Sequence, residues 1–447
     1  MSNGAPRRSA VGAVFLVVVG TLFLIHNFRP DLIQWRLLGR WWPALLIIWG
    51  VIRLVENLSG TGRRGLRGGE IFLLIMLVLV GVAISYVPKI PEFIPETEPG
   101  DMPFTESADT SQELPARNLE PGAVVRISTG VGDITVDATG DEKQLRVLVR
   151  KTGYAMSEEE AHTRAAEAQV NVQQSGRDVS LEAGARGGRE ESARVSFEVH
   201  LPHNVGLDLR TGHGDVHVNG VSGSVTANCS RGDVDVRDIG GDVRVDLGRG
   251  DARVSEAKGN VHISGKGSEV EVTDVKGAAT IDGEFYGPIT ARNVVQGARF
   301  VSSHTDLTIG GLPGRMTVES GDVHVENAAG PILLTTDDKT ISLEDLTGRI
   351  RVQNKRGDIS LRLTAAPKEE IDLSDDSGTI ELAIPGKSAF EISATSRSGD
   401  IDDELDTSGL KVTRQGNDAL LAGKVGAKGP KITLNTSYGP IRLKPSD

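Results

Sequence analysis

GDVDVRDIGGDVRVDLGRGDARVSEAKGNVHISGKGSEVEV, residues 232–272, decides how this chain folds. Val234, Val243, Ala252, Val261 and Val270 stand nine apart, and two residues after each comes a second small apolar side chain: Val236, Val245, Val254, Ile263 and Val272. Side chains two apart on a strand share a face, so each unit reads as a short strand burying that face. Nine residues are too few to close around a core. The predicted physical coil is therefore two units, eighteen residues, per turn: an all-β, two-sheeted parallel β-solenoid. The ladder extends back through Val225 and Val216 to Leu207, and forward to Ala279. After a one-residue slip it resumes at Ile289, Ala298, Leu307 and Met316, and after a two-residue deletion at Val323, Ile332, Ile341, Ile350 and Ile359. Ile371, Ile380, Phe390, Ile401 and Ile441 continue it loosely. These units predict roughly ten turns, on the order of 50 Å at the usual strand spacing. The slips near residues 282–288 and 317–322 are where a ligand is expected if the rod binds one.

Each unit begins with glycine, often Gly-Asp, as at Gly132-Asp133, Gly214-Asp215, Gly232-Asp233, Gly250-Asp251 and Gly357-Asp358. Glycine tolerates the positive φ of a tight corner, and aspartate accepts hydrogen bonds from corner amides. The eighteen-residue repeat predicts outward columns of His217, Asp235, Arg253 and Glu271, and of Thr226, Arg244, His262 and Thr280. Opposite charges on neighbouring rungs favour pairing, at ~0.5 kcal/mol each when exposed. Stacked corner aspartates repel by roughly 0.9 kcal/mol per neighbour in water, which corner hydrogen bonds offset.

Composition divides the chain. Aromatic residues are 4% of the sequence, and all four tryptophans (Trp35, Trp41, Trp42, Trp49) lie in the first fifty residues. Residues 1–90 hold ten Lys/Arg against three Asp/Glu, leaving 39 against 58 in the remainder. A net −19 there argues against nucleic acid as a partner, since phosphate binding needs clustered cations. Residues 10–28 and 71–87 are uncharged apolar runs near spanning length, and residues 37–55 span if Arg40 and Arg53 snorkel at the ends. Three α-helical transmembrane spans are expected in residues 1–90. With the N-terminus inside, six arginines lie on the cytoplasmic side against four cations outside, which places the acidic remainder on the outer face. If 37–55 is re-entrant, the parity reverses and the solenoid is cytoplasmic. Residues 91–120, rich in proline and acid, are predicted as a self-repelling stalk. Residues 121–206 read as a β region with one helix that caps the solenoid, the helix opening on a Ser157/Glu160 capping box, and residues 207–447 as the solenoid repeats.

Two resemblances follow from these residues. The N-terminal segment, with Gly12, Gly20, Asn27, Trp41, Pro43, Leu45, Leu46, Ile47 and Gly50, resembles the membrane module of the Lia-type (LiaI/LiaF-like) cell-wall-stress proteins. From about residue 121 onward the chain resembles the bacterial "putative adhesin" domains of unknown function, on Val195, Phe197, Val199, Leu201 and Pro202 followed by Thr211, Gly212, Gly214, Asp215, Val216 and Val218. Together they imply a cell-envelope protein of the bacterial cytoplasmic membrane, displaying a β-solenoid binding or adhesin-like module on the periplasmic or extracellular side. The alternative they imply is an envelope-stress sensor acting on a partner such as a sensor kinase. Envelope glycan, a membrane protein or a second copy of the chain are the partners these readings call for.

Candidate chemistry is sparse. Arg-Gly-Asp occurs at Arg231, Arg249 and Arg356, each on the rigid corner common to the repeats rather than on a protruding loop. A calcium roll needs Gly-Gly-x-Gly-x-Asp, and this chain lacks the second Gly-x-Asp. His200 with His203, and His213 with His217, read as solvated, the latter pair about 13 Å apart if extended. The single cysteine, Cys229, excludes a disulfide framework. No catalytic residue, metal ligand or cofactor is assigned, and the chain is read as a non-enzyme. Loops are expected around Glu284, Phe285 and Tyr286 and around Pro367 to Asp376.

Overall fold

The computed structural model describes residues 106–138, 144–185, 193–405 and 407–446. The predicted membrane segments and the first part of the predicted stalk lie outside the described residues. The chain divides into two compact units, Met1–Asp101 and Met102–Asp447, and all that follows concerns the second.

The coil has the expected period. In one sheet Val216, Val234, Ala252 and Val270 are parallel-strand partners. In the facing sheet the partners are Val225, Val243, Val261 and Ala279. Successive nine-residue units therefore alternate between sheets, and each sheet repeats at eighteen. All eight side chains are buried, so small β-branched and Ala residues fill the space between the sheets. The outward columns also stack as read: His217, Asp235, Arg253 and Glu271 are register partners in turn. Their charge alternation is realised at one step, where Arg253 Nε lies 3.9 Å from Glu271 Oε2. Asp235 instead pairs along its own strand with Arg237 at 2.7 Å.

The two corners of each coil differ. Passing from the first sheet to the second, the chain turns through a left-handed residue: Asp238, Glu256, Asp274, Asn293, Asn327 and Asp345 have φ between 49° and 58°. Asx side chains tolerate this conformation best, and each residue precedes a buried apolar one: Ile239, Ala257, Val275, Val294, Ala328 or Leu346. Returning to the first sheet, the chain uses the Gly-Asp corner. There Gly250 has φ +127°, and a Cβ on it would lie 2.1 Å from the Gly232 carbonyl oxygen of the rung before.

At the start of the coil, Gln144–Ala155 pairs antiparallel with Ala193–His200, and Glu106–Glu113 pairs antiparallel with Gln144–Ala155 in turn. Glu106–Glu113 falls in the segment read as stalk. Its polar sequence buries only Ala108, but an edge strand gains its hydrogen bonds from the neighbouring backbone and needs no apolar face of its own. The helix Glu158–Glu167 opens on Ser157, whose hydroxyl accepts the Glu160 amide at 3.4 Å, and it buries Ala161 and Ala165.

Two features depart from the sequence reading. The strand Thr305–Val318 runs antiparallel to its neighbours in both sheets, pairing with Ala298–Val301 and Ile289–Val294 on one side and with Asp322–Thr336 on the other. Leu307 and Met316 keep the nine-residue spacing, but the rung that carries them is reversed. The slip near 317–322 is thus a hairpin rather than a deletion, and a matching hairpin at 302–304 was invisible to spacing. Each is closed by a backbone bond, Ser302 N to Thr305 O at 2.8 Å and Glu319 N to Asp322 O at 2.9 Å. The second departure is at the far end, where Ile371 and Ile380 neighbour Ile432 and Ile441 rather than Phe390 and Ile401. The Phe390 and Ile401 strands lie one rung further out, and in the second sheet the Leu410–Gln415 and Asp418–Val425 hairpin pairs onto the Phe390 strand. The chain lays down its last rung, doubles back through that cap, and then fills the gap it left.

Candidate functional site

The Gly-Asp corner is a continuous hydrogen-bonded ladder. Asp133 Oδ1 accepts the Asp215 amide at 3.0 Å, Asp215 Oδ1 the Asp233 amide at 2.8 Å, and Asp233 Oδ1 the Asp251 amide at 2.9 Å. Asp251 Oδ1 accepts the Glu269 amide at 3.1 Å. Each carboxylate thus ties its rung to the next, and the stacked like charges are offset by charge-assisted bonds. Two of the Arg-Gly-Asp triplets sit in this ladder, and the third sits at the like corner beyond the reversed rung, where Asp358 Oδ1 accepts the Thr379 amide at 2.7 Å; Gly232, Gly250 and Gly357 have φ of +137°, +127° and +107° and carry backbone within 2.4 Å of where a Cβ would go. Their aspartates are structural acceptors, which leaves no mobile loop for a receptor to grip. Among the described residues no group of three or more His, Cys, Asp or Glu side chains is disposed to hold a metal ion.

Both reversal hairpins fall on this same edge, between the corner near Tyr286 and the corner at Asp337–Lys339. Glu284 Oε1 accepts the Ser303 amide at 2.7 Å. Asp337 faces His304 Nδ1 at 3.4 Å and Lys355 Nζ at 2.6 Å. Arg356 embraces Asp338 with two bonds of 2.5 and 2.7 Å, and Lys339 Nζ donates to the Glu319 and Ser320 carbonyls at 2.5 and 2.9 Å. The hydrogen bond from Lys355, then that from His304, holds the Asp337 carboxyl below the ordinary carboxylate range, and the Ser303 amide does the same for Glu284. Desolvation pushes the Lys339 ammonium down. These groups face one another and lock the two hairpin tips to the flanking corners. Tyr286, 83% exposed, is the one large apolar side chain at this seam that stands fully in water.

The remaining candidates disperse. His200 pairs with Glu198 at 3.6 Å, while His203 and His217 are exposed. The Pro367–Asp376 region contains a lengthened corner between the strands Ile359–Arg362 and Ile371–Ser377. Cys229 is buried, and its thiol donates to the Gly214 and Gly232 carbonyls at 3.4 Å. Burial raises its pKa to about 11.

Cys229 belongs to a set the sequence reading missed. The third inward position of the second-sheet strands is frequently polar and buried: Thr129, Thr211, Cys229, Thr336, Asn354, Asp375, Thr436 and Ser396. Thr211 Oγ1 donates to Gly132 O at 3.0 Å, Asn354 Nδ2 to Gly357 O at 3.2 Å, and Ser396 Oγ to Gly439 O at 2.7 Å. This interior column supplies hydrogens to corner carbonyls that the strand ladders leave over. The available signal was a polar residue or Cys two residues beyond many of the second-sheet apolar pairs.

Residues 240–444 match the family model described as Toastrack DUF4097, and residues 11–91 match that of the LiaF transmembrane domain. The LiaF-like segment implies membrane association. No curated protein matches the sequence. Among solved structures, a "putative cell adhesion protein" from Clostridium sporogenes is 10% identical over 75% of this chain and 100% of its own, with a TM-score of 0.17. "Putative adhesins" from Bacteroides fragilis (11% identical, 75% of this chain and 97% of that one, TM-score 0.19) and Parabacteroides distasonis (9%, 75% and 97%, 0.20) are similarly distant. The chain thus joins a segment similar to the LiaF transmembrane domain to an almost all-β, solenoid-like domain similar over residues 240–444 to the toastrack model, and these two matches agree with a non-enzymatic protein.

Proposed function

We propose that the protein is a membrane-anchored regulator of the cell envelope, whose coil lies on the outer face and whose N-terminal segment acts on a membrane partner such as a sensor kinase. What carries the reading is the union in one chain of the LiaF-like match over residues 11–91 and the toastrack match over residues 240–444. The coil's chemistry supports it: acidic corner groups bind the next rung, and the seam charges bind each other, so the surface is spent on rigidity more than on a ligand pocket. The excess of arginine on the inner side of the membrane segments supports the outward placement.

Purification of the full chain from detergent-solubilised membranes is expected to bring down a stoichiometric membrane protein. Absence of such a partner, together with retention of the full chain on isolated envelope glycan, refutes regulation in favour of adhesion. Protease treatment of intact spheroplasts is expected to cleave the coil; full protection, while an outer-face control is cut, refutes the outward placement.

A further inference from the structure

In the interior donor column, Asp375 is the member with no hydrogen to give when ionised. It is 2% exposed, and neither carboxylate oxygen has a hydrogen-bond partner. Its register partner one rung back is Asn354, 6% exposed, whose Oδ1 also has no partner. On the other side its register partner is Thr436, whose hydroxyl donates to the Gly378 carbonyl at 3.4 Å. Three buried acceptor atoms thus sit on register-paired residues of adjacent rungs, each without a hydrogen-bond partner. Asn354 has committed its amide group elsewhere, with Nδ2 donating to Lys339 O at 2.9 Å and Arg356 O at 2.7 Å. A buried acceptor without a donor is destabilising, and a buried unpaired carboxylate more so.

We propose that Asp375 carries a proton in the folded coil and donates it to Asn354 Oδ1, making this rung an acid-tightened element near the C-terminal end of the coil. A neutral acid does there what Thr, Ser, Cys and Asn do in the other rungs, supplying one hydrogen to the interior. The groups around it favour the neutral form. On its own corner stands Asp376, and on the preceding corner Asp358, both acidic. The cations of the preceding strand are engaged elsewhere, Lys355 with Asp337 and Arg356 with Asp338. From the following strand comes Thr436, which is neutral. The Ser377 and Asp376 amides approach and favour the anion somewhat, without reaching hydrogen-bond geometry.

Burial, aided by these like charges, pushes the carboxyl up to about 6 from an ordinary value of 3.8. A folded pKa above the unfolded one means the folded chain holds the proton more tightly. The stabilisation is complete below the ordinary value and is lost as pH rises through about 6. The difference corresponds to roughly 100-fold in the folding equilibrium of this region.

The test uses the full chain in detergent. At pH 5 its infrared spectrum is expected to show the carbonyl band of a protonated carboxylic acid that Asp375→Asn removes. In urea titrations between pH 4 and 7, wild type is expected to lose up to roughly 100-fold in stability relative to Asp375→Asn, whose amide donates at every pH. Asp375→Thr, which installs the residue used at Thr211 and Thr436, is expected to abolish the same pH dependence and guards against a folding defect peculiar to the amide. Absence of the band in wild type, or its persistence in Asp375→Asn, overturns the proposal. So does equal pH dependence in wild type and both variants, or stabilisation of wild type alone by calcium or sodium, which assigns the three oxygens to a cation.

Discussion

Replacing Gly250 with alanine tests the corner directly. The new Cβ would stand 2.1 Å from Gly232 O, 2.6 Å from Gly232 C and 2.9 Å from Asp233 Oδ1. Ordinary contact begins near ~3.5 Å, so the two rungs must part by more than about 1 Å at the corner. Three bonds cross that gap: Asp251 N to Asp233 Oδ1 at 2.9 Å, Gly232 N to Arg249 O at 3.0 Å and Val234 N to Asp251 O at 2.9 Å. Losing two of them at ~0.5–1.5 kcal/mol each, with ~1–2 kcal/mol for an alanine at φ +127°, gives a destabilisation of about 2–5 kcal/mol. In a coil each rung touches only its neighbours, so the damage concentrates locally. Amide exchange in peptides spanning residues 232–272 is expected to accelerate strongly, and the urea midpoint of the full chain to fall. Gly321→Ala is the control, because a Cβ there meets nothing within 4 Å; its effect is expected to stay within ~0.5 kcal/mol. Indistinguishable behaviour of the two variants in both assays would refute the account of the corner and of its Arg-Gly-Asp triplets.

Asp233→Ala removes the acceptor of the Asp251 amide and is expected to cost about 1–3 kcal/mol in urea denaturation, whereas Asp233→Asn keeps an oxygen in place and should be nearly neutral. Equal losses in the two show that charge, rather than the hydrogen bond, matters there. Glu256 occupies the left-handed corner with φ 58°, where its fellows are Asp or Asn, so Glu256→Asn is expected to stabilise by ~0.5–1 kcal/mol in the same assay; a lower urea midpoint contradicts the strain argument. Cys229, 2% exposed with its pKa raised to about 11, is expected to resist an aromatic disulfide reagent at pH 8 until urea opens the coil. Rapid labelling of the native chain would show that the coil opens there without unfolding.

Much of the fold was legible because a strand's side-chain period of two and a coil's period of eighteen both write themselves into spacing. The Val216 to Val270 ladder, its outward columns and the need for glycine at positions such as Gly250 all follow from distance along the chain. The reversed rung did not, since Leu307 and Met316 keep their spacing whichever way the strand runs. Side-chain alternation is the same in both directions. The Ser302–His304 segment lacks Gly-Asp, but so does the true corner at Asp337–Lys339, so the missing pair does not mark a reversal. The candidate seam was half legible: the slips near 282–288 and 317–322 marked it, but its Lys339, Lys355 and Arg356 contacts come from residues well beyond either slip.

The sequence by itself determined the coil, its eighteen-residue register and its split from a basic, apolar N-terminal segment, because burial and charge act locally on short-period patterns. Tertiary structure alone decided which way the Thr305–Val318 rung runs and which rung lies outermost. It also decided that the side-chain oxygens of the register partners Asn354 and Asp375 are buried without a donor. Those outcomes depend on which strand edge is free when the next strand arrives, and on whether a neighbouring rung completes a hydrogen bond. No single repeat encodes either condition.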